Sequence, residues 1–165
     1  MRAPNRALNK ETIHGQPVKA IPDGYHTATP YLIVKGAASA IEFYKKALGA
    51  TELMRLAQPD GQIGHAEIKI GDSPIMLAEM GYRRPQSFGG SPVSILLYVE
   101  NVDALFDQVV AAGGKVTMPV KDEFYGDRFG TLSDPFGHVW TIATRKENLA
   151  PEEIQNRAAA AMSGH

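Results

Sequence analysis

The sequence contains no cysteine. That absence excludes a disulfide framework, a thiolate metal site and a cysteine nucleophile, and with them zinc-finger and thiol-enzyme readings. An excess of charge of either sign is also lacking: 17 Lys and Arg stand against 18 Asp and Glu, a formal net charge of -1. Such a chain exerts no long-range attraction on a phosphate backbone or an anionic membrane, so nucleic acid is not an expected partner. No stretch approaches the roughly 20 apolar residues of a membrane span. The opening segment, MRAPNRALNKETIHGQPVKAIPDGYH, carries basic groups without the apolar run of an export signal. A cytoplasmic protein that does not engage a membrane is the expectation.

The 165 residues, 44% of them hydrophobic and 21% charged, suit one compact domain or two small modules sharing a core. Pro17, Pro22 and Gly24 mark residues 1–24 as an extended arm. From Tyr25 onward the chain repeats itself. A strand-like run over 28–34 precedes a helical pattern carried by Ala40, Ile41, Tyr44, Ala47 and Leu48 and stopped by Gly49. A second such run over 91–99 precedes another, carried by Val102, Leu105, Phe106, Val109 and Val110, with Asn101 as N-cap and Gly113 as stop. Three strand candidates follow each helix: 51–57, 64–70 and 74–79 in the first half, and 115–119, 128–133 and 138–144 in the second. The repeat predicts an α+β fold of two tandem β-α-β-β-β modules, over 25–80 and 91–148. Between them, 81–90 reads as a linker loop, and 149–165 as a C-terminal helix or tail opened by Pro151.

These modules, with "PYLIV...AIEFYKKALGA" in the first and "GDRFGTLSDPFGHVWTIAT" in the second, resemble the vicinal oxygen chelate superfamily of glyoxalases, bleomycin-resistance proteins and extradiol dioxygenases. The closer likeness is to its PhnB-like branch. The resemblance implies a cup-shaped curved sheet with the helices outside, and leaves the activity open, since the fold hosts enzymes and plain drug binders alike. Side-chain alternation then assigns faces. Tyr31, His65, Glu67, Met76, Ala78, Ser94, Leu96, Tyr98, Phe129, Thr131 and Thr141 are expected on the concave wall, with Leu32, Val34, Ala66, Ile68 and Ile70 on the helix side.

Metal-dependent members of the superfamily hold a divalent ion with His, Glu or Gln from the first and last strands of each module. The matching positions here are Thr29, Met76, Ser94 and Thr141. Neutral hydroxyls and a thioether are poor donors for such an ion, so no metal and no cofactor is expected at the usual site. A displaced site using His26, His65 and Glu67 is the alternative. His65 and Glu67, two apart on one strand face, are also the candidate catalytic pair: histidine titrates near neutrality and a carboxylate orients it. The plainer reading is two polar residues on a solvated sheet face.

Tyr31, Tyr98 and Phe129, joined by Phe124 and Tyr125, offer flat surface for a planar ligand, although aromatic side chains as often fill a core. With His65, Glu67, Met76 and Thr141, the first three make up the expected ligand-binding set. Arg128 either receives an anionic group or pairs with a nearby carboxylate. In the turn-and-strand segment "DPFGHVWTI", alternation assigns His138, Trp140 and Ile142 to the structural side. Two functional readings stay open. One is a metal-free binding protein that sequesters an aromatic or antibiotic-like small molecule. The other is a glyoxalase-, isomerase- or dioxygenase-type enzyme working through His65 and Glu67 or a displaced metal. The resemblance also implies a homodimer.

Overall fold

The computed structural model describes residues 20–79 and 84–163; residues 1–19 of the expected arm over 1–24, position 80, residues 81–83 of the expected linker over 81–90 and the last two residues lie outside the described residues. In chain order the elements are β1 (Tyr31–Val34), α1 (Ala37–Leu48), β2 (Thr51–Ala57), β3 (Ile63–Ile70), β4 (Ser73–Glu79), a single 3-10 turn over Pro85–Phe88, β5 (Ser94–Tyr98), α2 (Val102–Ala112), β6 (Lys115–Asp122), β7 (Asp127–Ser133), β8 (Val139–Arg145) and α3 (Pro151–Ser163). Two four-stranded sheets result, ordered β1-β4-β3-β2 and β5-β8-β7-β6. In each, the first strand runs parallel to the fourth and the other pairings are antiparallel. This is the α+β, two-module fold that the repeat predicts.

Three strands depart from their expected limits by more than one residue, each at a proline. β1 begins at Tyr31 rather than at position 28, because Pro30 has no N–H to donate and contributes only its carbonyl, which accepts from the Met76 amide at 3.0 Å. β5 begins at Ser94 rather than at 91. Ahead of it, past Pro92, the Ser91 hydroxyl closes a local turn by bonding both the amide and the carbonyl of Val93. β6 was expected to stop at Pro119 but runs on to Asp122, because the register shifts between Met118 and Lys121 and absorbs the proline.

Alternation sorts the faces. In β3, Ile63, Ala66, Ile68 and Ile70 are buried, while His65, Glu67 and Lys69 stay partly exposed on the other side. Ala78 departs from the expected wall: it is wholly buried opposite Ile33 and offers the concave face no surface.

The helix starts repeat the duplication. Gly36, in the left-handed region at φ 75°, opens α1 without a side chain of its own to cap it. The Glu79 carboxylate at the end of β4 supplies the cap, accepting from the amides of Gly36 at 2.9 Å and Ala37 at 3.3 Å. In the second module Asn101 caps α2 by accepting from the Ala104 amide, and Thr144 in β8 accepts from the Val102 amide while donating to the Val99 carbonyl. The last strand of each module therefore holds the start of that module's helix.

The modules share one core. α1 packs on α2, and Gln108 donates to the Lys46 and Ala47 carbonyls at the end of α1, both at 3.0 Å. Tyr44 and Phe43 of α1 meet Phe136 and Trp140 of the second module, with the Tyr44 and Trp140 ring centroids 5.5 Å apart. Trp140 and Ile142 are core residues, 1% and 0% exposed. His138 is a tie between modules: its Nε2 lies 3.0 Å from the Ile33 carbonyl oxygen of β1, to which it donates.

Candidate functional site

Strand register lays one row of side chains across each concave face. In the first sheet the row is Tyr31, Met76, Glu67 and Met54. In the second it is Leu96, Thr141, Thr131 and Met118. The rows occupy matching strands of the two modules, so Met76 corresponds to Thr141 and Glu67 to Thr131. The expected site residues accordingly fall into two groups, one on each sheet.

On the first sheet, His65, Glu67 and Tyr31 join in one hydrogen-bonded chain. His65 Nε2 lies 3.0 Å from Glu67 Oε1, and His65 Nδ1 lies 3.1 Å from the Tyr31 hydroxyl. A carboxylate only accepts, so Nε2 carries the proton and Nδ1 of the neutral ring accepts from Tyr31. The Tyr31 ring meets the imidazole edge-on, centroids 5.6 Å apart. Tyr25, at the entry to the domain, extends the chain by donating its hydroxyl to Glu67 Oε2. Glu67, with both oxygens engaged, is held below the ordinary carboxylate range by the bonds from Tyr25 and His65. The Tyr25 phenol is pushed up to about 12, chiefly by its bond to Glu67, then by burial and the carboxylate's charge.

Such an arrangement is able to orient a base. Glu67 fixes the tautomer and the ring plane of His65. The same geometry would allow a proton arriving at the Tyr31 oxygen to be passed on as the tyrosine's own proton moves to Nδ1, giving an imidazolium paired with Glu67.

On the second sheet the hydroxyls pair with one another. Thr141 Oγ1 lies 2.9 Å from Ser94 Oγ and 3.2 Å from Thr131 Oγ1. Two of the four positions at which the resemblance implies metal ligands are thus neutral hydroxyls bonded to each other, and a third is the thioether of Met76. That donor set does not fit a hard divalent cation. Nor do the described residues contain a group of three or more His, Asp or Glu arranged to hold a metal, so His26 does not join His65 and Glu67 in the displaced site.

Tyr98 stands at the end of β5, 60% exposed, and donates its hydroxyl to Asp127 Oδ2 at 2.7 Å. Asp127 is buried, with Arg145 Nε 3.8 Å from its other oxygen. The bond to Asp127 raises the Tyr98 phenol above its usual range. Tyr98, Val99, Glu100, Thr144 and Arg145 line an open cleft of about 750 Å³. Phe129 stacks on Tyr125 at a centroid distance of 6.3 Å, and Tyr125 meets Phe124 edge-on. Arg128 is fully engaged, bonding both oxygens of Asp103 at 2.9 and 2.7 Å and Asp122 at 3.2 Å, so no ligand anion is assigned to it.

Reasoning from sequence missed Tyr25, Asp127, Thr131 and Asp134 as contributors. In the sequence Tyr25 marks only a domain boundary, and Asp127 is only one carboxylate near Arg128. Thr131 was placed on the wall but given no role. Its signal is its offset from Glu67, which matches the spacing of the repeat. Asp134 carried no signal beyond its place in a turn.

Comparison with known proteins agrees with the fold. A family model described as the glyoxalase/bleomycin resistance protein/dioxygenase superfamily matches residues 25–142. The Mycobacterium bovis protein Mb0911c is 42% identical over 134 residues, covering 77% of this chain and 88% of that protein. Protein YjdN of Escherichia coli is 30% identical over 141 residues, covering 72% of this chain and 95% of its own. Among solved structures, protein PA1353 from Pseudomonas aeruginosa superposes with a TM-score of 0.60 at 27% identity, covering 74% of this chain and 99% of that one.

Proposed function

Because the chain belongs to the glyoxalase/bleomycin resistance protein/dioxygenase superfamily, we propose that it uses the fold as a small-molecule binding protein, metal-free at the superfamily's usual site, whose concave face takes a planar aromatic, antibiotic-like ligand. The observation that carries this reading is the pair of anchored tyrosines. Tyr31 and Tyr98 are 48% and 60% exposed, yet each hydroxyl is fixed, the first on His65 and the second on the buried Asp127. A phenol tied at its oxygen keeps its ring where it is, so the ring presents a flat face without further loss of side-chain freedom on binding. The cleft beside Tyr98, about 750 Å³, suits a drug-sized compound. Glu100 and Arg145 at its rim provide charges of both signs for polar substituents.

The test is equilibrium binding of a panel of planar aromatic compounds, followed by fluorescence, with recovered ligand analysed for chemical change. Saturable binding that returns the compound intact, and that weakens in Tyr98→Ala, is the expected result. Conversion of the compound would replace this reading with the second.

The second reading is an isomerase- or glyoxalase-type enzyme, and the Tyr31–His65–Glu67–Tyr25 chain favours it. In that case His65→Ala abolishes turnover while the fold is retained, and Tyr31→Phe lowers it by breaking the proton path.

A homodimer completes the proposal. The outer strands leave apolar side chains uncovered, Leu53 and Leu56 on β2 and Val116 and Met118 on β6, and a second copy provides matching surface. Sedimentation should give twice the chain mass of 17.9 kDa; a single species at the chain mass would rule the dimer out.

A further inference from the structure

Away from the concave faces, three segments meet at the seam between the modules. Lys35 follows β1, Arg84 to Ser87 form the start of the 3-10 turn in the linker, and Pro135 and Phe136 occupy the β7–β8 turn. Together they line an open cleft of about 490 Å³. The contact between linker and turn is close. Gly137 adopts φ 90°, and a Cβ there would lie 2.8 Å from Gln86 Nε2 and 3.1 Å from Pro85 Cβ.

The charge in this cleft is uncompensated. Arg84 is partly buried, and its Nε is shielded from solvent without a hydrogen-bond partner among the described residues. An N–H of a cation shielded from bulk solvent gains from any acceptor brought to it. Lys35 likewise has no carboxylate partner among the described residues. The acids closest in the chain and the sheet are committed elsewhere. Glu79, opposite Val34, turns its oxygens to the amides of Gly36 and Ala37. Asp134, beside Pro135, turns its oxygens to Tyr44, Trp140 and the amides of Phe136 and His138. Two cations, the amide of Gln86 and the hydroxyl of Ser87 thus border one space beside Pro135 and Phe136, with no carboxylate among its described lining residues.

We infer that the seam cleft is a phosphate-binding site, in which Arg84 and Lys35 neutralise a phosphate group, Gln86 and Ser87 donate to its oxygens, and Phe136 and Pro135 carry an apolar substituent. A dianion with several acceptor oxygens matches two cations plus two neutral donors better than a carboxylate does. The space exceeds what a bare ion fills, which leaves room for the organic part of a small phosphate ester. The site is separate from the concave faces and takes a different class of ligand.

Titration calorimetry at constant ionic strength, with chloride as the background anion, tests this. Inorganic phosphate is expected to bind saturably to the full-length protein. Arg84→Gln should weaken it about tenfold or more, and Lys35→Gln several-fold, with circular dichroism and melting temperature unchanged in the absence of phosphate. Lys45→Gln, on the exposed side of α1 beside Glu42, should bind as the parent does. Phenyl phosphate separates the two sources of the group: tighter binding than inorganic phosphate assigns an ester, and equal binding the free ion. Saturation by acetate at the same concentrations, an undiminished response in both Arg84→Gln and Lys35→Gln, or no response above chloride would each overturn the inference.

Discussion

The Tyr44 hydroxyl of α1 donates to the Asp134 carboxylate of the β7–β8 turn at 2.6 Å, across 90 residues of sequence and between the two modules. Asp134 is only 5% exposed and collects three further donors, Trp140 Nε1 and the amides of Phe136 and His138, each at 2.9 Å. A buried charge so fully bonded is a fixed point of the interface. Burial, reinforced by the carboxylate's charge, raises the Tyr44 phenol well above its usual range, so it remains a donor throughout the working pH range.

Removing one side of this contact should expose its contribution. Tyr44→Phe is expected to cost about 1.5–3 kcal/mol, the range for a hydrogen bond to a charged group. Asp134→Ala, which strands several donors at once, should cost about 3–5 kcal/mol. Urea denaturation measures both. Equal midpoints for parent and Asp134→Ala would show that the turn does not hold the modules together.

Glycine at position 130 is needed for packing between α2 and β7. A Cβ there would lie 2.6 Å from the Phe106 ring and 2.9 Å from Val120 Cγ2. Gly130→Ala should therefore destabilise by about 1–3 kcal/mol through overpacking, and Gly130→Ala with Phe106→Leu should recover part of that loss. Thermal unfolding of the three proteins checks it.

The bond between Tyr25 and Glu67 has opposite signs at the two ends of the pH scale. Glu67 is depressed in the folded state, so its contribution is present above the ordinary carboxylate range and is lost as pH falls through its lowered value. Tyr25 is raised from 10.0 to about 12, so its contribution is full below 10 and is lost as pH climbs through about 12. Tyr25→Phe should flatten the stability profile at both ends, and in alkaline absorbance titration it should remove a phenolate transition near 12. An unchanged acid limb would mean that the bond does not form in solution.

Ligand affinity should depend on the anchored rings and not on added metal. Tyr31→Ala and Tyr98→Ala each remove one stacking face worth about 0.5–1.5 kcal/mol beyond burial, roughly a two- to tenfold loss of affinity. Tyr98→Phe keeps the face but frees it from Asp127, and its affinity should fall between those of the parent and Tyr98→Ala. Micromolar nickel, zinc or manganese should leave both the melting temperature and the affinity unchanged, since Ser94 and Thr141 are neutral donors already bonded to each other. A stoichiometric, metal-dependent rise in melting temperature would contradict the donor-set argument.

The strands, helices and faces were legible because they depend on local pattern. The spacing of Ala40, Ile41, Tyr44, Ala47 and Leu48 already describes the buried side of α1, and alternation in β3 separates Ala66, Ile68 and Ile70 from His65, Glu67 and Lys69. Partnership was not legible in the same way. Whether Arg128 meets a ligand or Asp103, and whether His138 is idle or bonded to Ile33, is decided by which segments fold against each other. Asp134 is the clearest instance, since aspartate in a turn is ordinary and only the arrival of α1 makes it a buried hub. The helix caps divide likewise: Asn101 is adjacent to the helix it caps and could be read, whereas Glu79 reaches α1 from the neighbouring strand, 43 residues along the chain.

That distant cap bears on how each module folds. The first amides of α1 gain their acceptor only when β4 has docked, 43 residues downstream of Gly36. The first turn itself closes locally, with Ala40 donating to the Gly36 carbonyl at 3.0 Å, but its leading amides are capped by Glu79 only once β1 has paired with β4. Loop closure of that length comes before its reward. A fragment of the first module ending before β4 would therefore keep the sequence of α1 and lose the carboxylate that caps it.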